Sequence, residues 1–289
     1  FECIVVDNGS TDDSAAVMAR HIGDDARFRV LSLPENLGQL GAAFVALKEA
    51  QGGFVTFVDA DDLLFENYAS THLQAHLALP RVLAFTSSNV IEMNAAGHAL
   101  AAVRNVSRLG KRSKARHVEL PPRPSPMPLL GEDAYRQLTD KVWIVPSMET
   151  NWVWGPGTSN MYRTTVLRMV LPAEDAPRAY MRSADGYFNV ACQGLAGSAL
   201  IDLSLSAYRI HGNNYFATAE KLSGLRSGTR DYAQASADAI YDDLEFFLER
   251  ADHYGWLLGD GYFPFLDGIT RVRRTRRRLR RFYRTERAY

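Results

Sequence analysis

No apolar run in the sequence approaches the roughly 18 residues of a membrane span, so no transmembrane helix is expected within it. Cysteine is scarce: Cys3 and Cys192 stand far apart in apolar surroundings and give no disulfide framework. A reducing, cytoplasmic setting is therefore expected, in which the sequons at Asn8 and Asn105 carry no glycan. A net charge is also missing, with 33 basic and 33 acidic side chains. The first residues, Phe1-Glu2-Cys3-Ile4-Val5-Val6, already form a buried-strand pattern, with no charged leader before them. The chain thus reads as a fragment that has lost its N-terminus.

The zero charge conceals an uneven spread. Residues 271–289 carry ten arginines and a single acid, Glu286, leaving 23 basic against 32 acidic side chains elsewhere. A basic segment on an acidic body is expected to meet an anionic surface. Arg271 to Arg287 is long enough for four or five helical turns, with Leu279 and Phe282 on one side. Contact with anionic lipid headgroups would hold the protein peripherally at the inner face of a membrane. The alternative is a solvated helix packed on the acidic body. No nucleic-acid-binding module accompanies the charge, so no nucleic-acid partner is expected.

The first ~85 residues alternate between strand and helix patterns. Strands are expected at Phe1–Val6, Arg27–Leu33, Phe54–Val58 and Val82–Met93, with helices after Asp12, over Leu37–Ala50 and over Phe65–Leu79. That alternation predicts an α/β fold with a mostly parallel sheet. Asn94-Ala95-Ala96-Gly97 reads as a hairpin turn. Residues 104–130, basic and then proline-rich, read as a loop or flexible flap. Leu200–Ile210 predicts a further strand. From about Thr218 the pattern is helical, with Ile240, Leu244, Phe247 and Leu248 on one stripe. The division expected is 1–215 for one α/β domain and 216–289 for a C-terminal helical extension.

Two polar clusters follow expected strands directly: Asp7-Asn8-Gly9-Ser10-Thr11-Asp12 and Asp59-Ala60-Asp61-Asp62. Ligands in open α/β sheets bind outside the carboxyl ends of the strands. Carboxylates this close repel one another unless a cation or solvent intervenes. Mg²⁺ or Mn²⁺, held by one or two carboxylates and a substrate phosphate, suits the cluster. The alternative is that Asp61 and Asp62 cap the next helix. Asp185 opens an expected helix and could serve as a general base or as a plain N-cap. His211 follows a strand and could face a metal or phosphate, or be structural. Trp143, Trp152 and Trp154 flank a Gly155-Pro156-Gly157 turn, with Trp154 the candidate for stacking on an acceptor sugar or for a place in the core.

Ile4-Val5-Val6-Asp7-Asn8-Gly9-Ser10-Thr11-Asp12 resembles the Val-Asp-Asp-Gly-Ser-Thr-Asp signature of the family 2 glycosyltransferases. Asn36-Leu37-Gly38 is similar to the family's Asn-x-Gly segment, and Phe57-Val58-Asp59-Ala60-Asp61-Asp62 to its Asp-x-Asp region. Agreement continues at Gly157 to Arg163, Asp185 and Tyr208 to Asn214, so the resemblance spans roughly 1–214, with 104–150 unmatched. It implies a GT-A fold and an inverting, metal-dependent transfer from a nucleotide-sugar donor to a glycan, lipid-linked or protein acceptor. It also implies donor contacts from Asp7, Asn8, Asn36, Gly38 and Asp59, with Asp7 at the base. Metal contacts would come from Asp61, Asp59 and His211, and the acceptor-activating base would be Asp185. Ala184 stands where the family often has Glu, and the family's first strand, with its Pro-x-Tyr-Asn segment, is missing. A nucleotidyltransferase on a similar sheet and a non-catalytic glycan-binding protein with a decayed site remain the rival readings.

Overall fold

A computed structural model describes residues 1–110, 113–122, 128–147, 149, 152–171, 183–211, 214, 247–248, 250–259, 262 and 266. The chain opens with two βα units: β1 (Cys3–Asp7), α1 (Ser14–Ile22), β2 (Phe28–Ser32) and α2 (Gly38–Glu49). β1 and β2 pair in parallel, as a right-handed crossover through α1 requires. Then come β3 (Phe54–Val55), β4 (Leu63–Leu64), α3 (Tyr68–Ala78), β5 (Phe85–Asn94) and β6 (Ala99–Val103). β7 (Arg116–Val118), α4 (Glu132–Thr139), β8 (Val142–Val145), β9 (Asn160–Arg163) and α5 (Thr164–Met169) follow. α6 (Ala184–Ala196), β10 (Ser198–Ile210) and α7 (Ala251–Leu258) complete the described elements.

The eight strands from β3 to β10 form one sheet along the path β3-β9-β5-β10-β8-β7, with β4 on β10 and β6 on β5. Its centre is the long parallel pair β5 and β10. Every other pairing in that sheet is antiparallel, so the α/β sheet is mixed rather than mostly parallel. The 94–97 hairpin, with Gly97 at φ 84°, makes β6 an antiparallel neighbour of β5. Both faces of the central strands are covered: Phe85, Ala199, Leu200 and Ile201 are fully buried, and so are the polar Thr86, Ser87 and Ser88. α2, α5 and α6 close one face around Phe44, Tyr162 and Phe188. α3 and α4 close the other around Tyr68, Leu138 and Ile144.

Two expectations are corrected. The strand expected over Phe54–Val58 pairs only at Phe54 and Val55. Residues 104–130 are not simply a flap: β7 adds to the sheet, Leu120 joins the core, and the Asn105 amide donates to the Ser88 carbonyl at 2.6 Å. A basic, proline-rich stretch can still be pinned by a few buried side chains. The described part of the C-terminal extension is continuous with the main core, where Phe247, Tyr254, Tyr262 and Leu266 pack with Phe44 and Phe188. Ile240, Leu244 and the arginine run lie outside the described residues.

Among the described residues the small β1-β2 sheet and the large sheet are separate, and no strand pairs with their facing edges. Cys3 donates to the Arg27 carbonyl, and the Asp7 carbonyl accepts from Leu33, so alternate residues of β1 address β2. Ile4 and Val6 therefore direct their backbone groups away from β2. Across the gap, the Gly53 carbonyl accepts from Thr164, which turns the polar groups of Phe54 away from β9. Glu2 spans the interval, its Oε1 accepting from the Gln51 and Gly52 amides at 2.7 and 2.9 Å.

Candidate active site

Between those edges lies a cavity of about 890 Å³. Ile4, Val6, one face of α2, the stretch from Phe54 to Asp61, and the start of α6 form its walls. Asn8, Asn36, Gly38, Asp59, Asp61, Asp185 and His211 all line it. Chain elements distant in sequence thus deliver the polar groups to one place, at the carboxyl ends of β1 and β3.

The β1 side is locked by the turn after it. Asn8 Oδ1 accepts from Leu37 N at 2.9 Å, while its Nδ2 donates to Asn36 Oδ1 at 3.1 Å and the Gly38 carbonyl at 3.2 Å. Gly9 sits at φ 72°, and a Cβ there would meet the Glu35 carbonyl carbon at 2.7 Å. Only glycine lets these two loops approach so closely. Asn8 and Asn36 therefore spend their amides on each other at the cavity wall. Asp7 does not line the cavity: it lies on the opposite face of β1 from Val6, and its Oδ1 accepts from Ser10 N at 3.0 Å.

The β3 side carries the acids. Phe57 stacks on Phe188 of α6, ring centroids 4.8 Å apart, which fixes the approach of residues 57–59 to that helix. The Asp59 amide donates to Thr158 Oγ1 at 3.2 Å. Its half-buried carboxyl is pushed up to about 7, by burial first and then by the charges of Asp62, Asp185 and Asp61, against a hydrogen bond from Gln39. Asp62 is buried and also shifted upward by burial, although Thr158 and the Arg209 amide oppose that. It does not cap α3, whose N-cap is Asn67.

Pairing of β4 with β10 carries the Asp59–Asp62 loop to the end of β10. There Asp62 Oδ1 accepts from Arg209 N at 2.9 Å, and Arg209 Nε donates to the Asp61 carbonyl at 2.8 Å. His211 Nε2 lies 2.8 Å from Asp61 Oδ2. Asp185 sits in the first turn of α6, and Ser183 provides the N-cap by accepting from Gly186 N. Asp185 Oδ1 also accepts from Gly186 N, at 2.8 Å.

Trp154 is not at the cavity. It is 2 % exposed and its Nε1 donates to Ser198 Oγ at 2.9 Å, which makes it a core residue and removes it as an acceptor platform. Trp152, 41 % exposed, is its outward neighbour. Gln39, Thr158 and Arg209 are the site residues that sequence patterns missed. Each acts through a contact across 99 or more residues, or, for Gln39, from both sides of the cavity.

A mixed α/β sheet covered by helices, with carboxylates gathered at the strand ends beside a helix-borne acid, is the arrangement that the GT-A resemblance implies. Residues 1–122 match the family described as glycosyl transferase family 2. An uncharacterized glycosyltransferase of Haemophilus influenzae is 35% identical over 83 residues, covering 27% of this chain and 33% of the relative. Glycosyltransferase GlyG of Streptococcus pneumoniae is 37% identical over 74 residues, covering 26% of this chain and 25% of GlyG. The chain thus spans a third or less of the length of these curated relatives. Among solved structures, Staphylococcus aureus TarS 1–349 in complex with UDP-GlcNAc is similar at 17% identity and a TM-score of 0.45, over 88% of this chain and 64% of that one.

Proposed function

We propose that this chain carries the catalytic part of an inverting glycosyltransferase that moves a sugar from a nucleotide-diphosphate donor to a glycan, lipid-linked or protein acceptor. The observation that carries this reading is the shared cavity of Asp59, Asp61, Asp185 and His211. Its volume of about 890 Å³ is within the range of small-molecule sites. Inverting transfer needs one carboxylate to take the acceptor hydroxyl proton as that oxygen attacks the anomeric carbon. Asp185, in the first turn of α6 and lining the cavity, would fill that role.

The donor set fits a divalent cation. Among the described residues no three ligating side chains gather into a closed metal cluster. Mg²⁺ and Mn²⁺ sites that share a diphosphate need only one or two carboxylates from the protein. Burial first, and then the charges of Asp62, Asp185 and Asp61, push Asp59 up to about 7. Asp61 would hold the ion, with Asp59 and His211 flanking it. Such an ion supplies neutralisation of the departing diphosphate.

No described helix is long and apolar enough to cross a membrane. Peripheral attachment through Arg271–Arg287 remains part of the proposal, tested by vesicle binding with and without residues 271–289. The open edges of β1 and β3 are where a further strand would pair and complete the nucleotide pocket. A panel of nucleotide sugars, scored for nucleoside diphosphate release with and without Mn²⁺ or Mg²⁺, tests the reading. Release with one donor, dependent on the cation and on Asp185, supports it; a panel with no release by the full-length protein contradicts it.

A further inference from the structure

Gln39, in the first turn of α2, is exposed to the cavity and reaches in two directions. Its Nε2 donates to Asp59 Oδ1, and its Oε1 accepts from Ala184 N at 2.9 Å. The Ala184 arm fixes the amide orientation, since the reverse would set Nε2 against the Ala184 N–H, donor facing donor. Ala184 is the first residue of α6 and the neighbour of Asp185, and its N–H is one of the amides a helix start leaves without an internal partner. One neutral side chain thus joins the acid beyond β3 to the helix that carries Asp185. The two helices keep a fixed separation, because Phe44 of α2 meets Tyr187 and Phe188 of α6 edge-on at 5.4 and 5.6 Å. Gln39 adds no buried packing of its own.

We propose that Gln39 is a positioning residue that couples engagement of Asp59 by a nucleoside diphosphate to the N-terminal turn of α6, and so to the placement of Asp185. The inference rests on the glycosyltransferase reading above. A ligand that fixes the Asp59 carboxylate fixes the Gln39 amide bonded to it, and the same amide then steadies Ala184. The two halves of the link require different chemistry. A glutamate at this position still accepts from Ala184 but repels Asp59, whereas a lysine still donates to Asp59 but cannot accept from Ala184.

Hydrogen exchange on the full chain, with UDP and Mn²⁺ as the probe, tests the coupling. In the wild type, UDP with Mn²⁺ slows exchange of the 184–186 amides several-fold. In Gln39→Met, Gln39→Glu and Gln39→Lys that slowing disappears, while calorimetry still detects UDP binding to Gln39→Met. Donor turnover by Gln39→Met falls about tenfold in kcat with little change in donor KM, the size expected for one charge-assisted hydrogen bond. Protection that persists in Gln39→Met, with UDP bound, overturns the coupling and leaves the donor site standing. A wild type that binds neither UDP nor any other nucleoside diphosphate overturns the donor reading, and the coupling with it.

Discussion

Asp59→Asn should remove a pH dependence of stability that the wild type carries. Asp59 is raised from 3.8 to about 7 in the folded protein, by burial and by the charges of Asp62, Asp185 and Asp61. The folded state therefore binds more protons than the unfolded chain between those values, and stability falls as pH rises through that window. At roughly 1.4 kcal/mol per pKa decade the ceiling is about 4 kcal/mol. Partial exposure and solvent screening reduce this to about 1–2 kcal/mol. Two buried histidines act in the opposite direction over part of the same range. Burial lowers His72, and lowers His76 to about 3, so their contribution is lost as pH falls below 6.5. The comparison must therefore be between variants. Urea denaturation of wild type and Asp59→Asn at pH 5 and pH 8, in chelator, isolates the Asp59 share. Asparagine keeps an oxygen for Gln39 Nε2, so the fold is preserved. The expected result is that Asp59→Asn gains about 1–2 kcal/mol on wild type in going from pH 5 to pH 8. Parallel pH profiles would refute the reasoning, because Asp59 would then carry no unfavourable charge.

Asp185→Asn should retain donor binding by calorimetry while transfer falls by about 10²–10⁴, the usual share of a general base; near wild-type transfer would place the base elsewhere. Trp154→Ala should cost about 3–5 kcal/mol in denaturant titrations, as for a buried core aromatic. If it instead left stability unchanged and raised only the acceptor KM, Trp154 would be a ligand platform after all. In this chain the Ile4 and Val6 amides should exchange faster than Val5, which faces β2. Uniform protection along β1 would mean that its open edge is already covered.

The N-terminal strands and helices were legible because each carries a local signal: β-branched runs, turn residues and helical spacing. The hairpin at Asn94–Gly97 followed from glycine at positive φ. Sheet direction was not legible, since pairing depends on which distant strand arrives beside β5 and β10. The acids at Asp59 and Asp61 were marked by their position after a strand, and His211 by its place after β10. Their meeting depends on the β4-β10 pairing, which two exposed leucines in sequence do not announce. At β1 the pleat sorts the motif: Val6 and Asn8 line the cavity, and Asp7 lies on the alternate face. Trp154 shows that an aromatic beside a glycine turn can belong to the core when a buried Ser198 hydroxyl is there to accept from its indole. Gln39 had no signal of its own, because its two partners lie 20 and 145 residues away.

The central claim concerns where a cation and a diphosphate sit, and crystals grown with UDP and Mn²⁺ test it directly. Anomalous scattering should place Mn²⁺ at coordination distance from Asp61, with the diphosphate on the same ion and Asp185 facing the cavity across from it. A manganese peak away from Asp59, Asp61 and His211 while the nucleotide is bound would contradict the account.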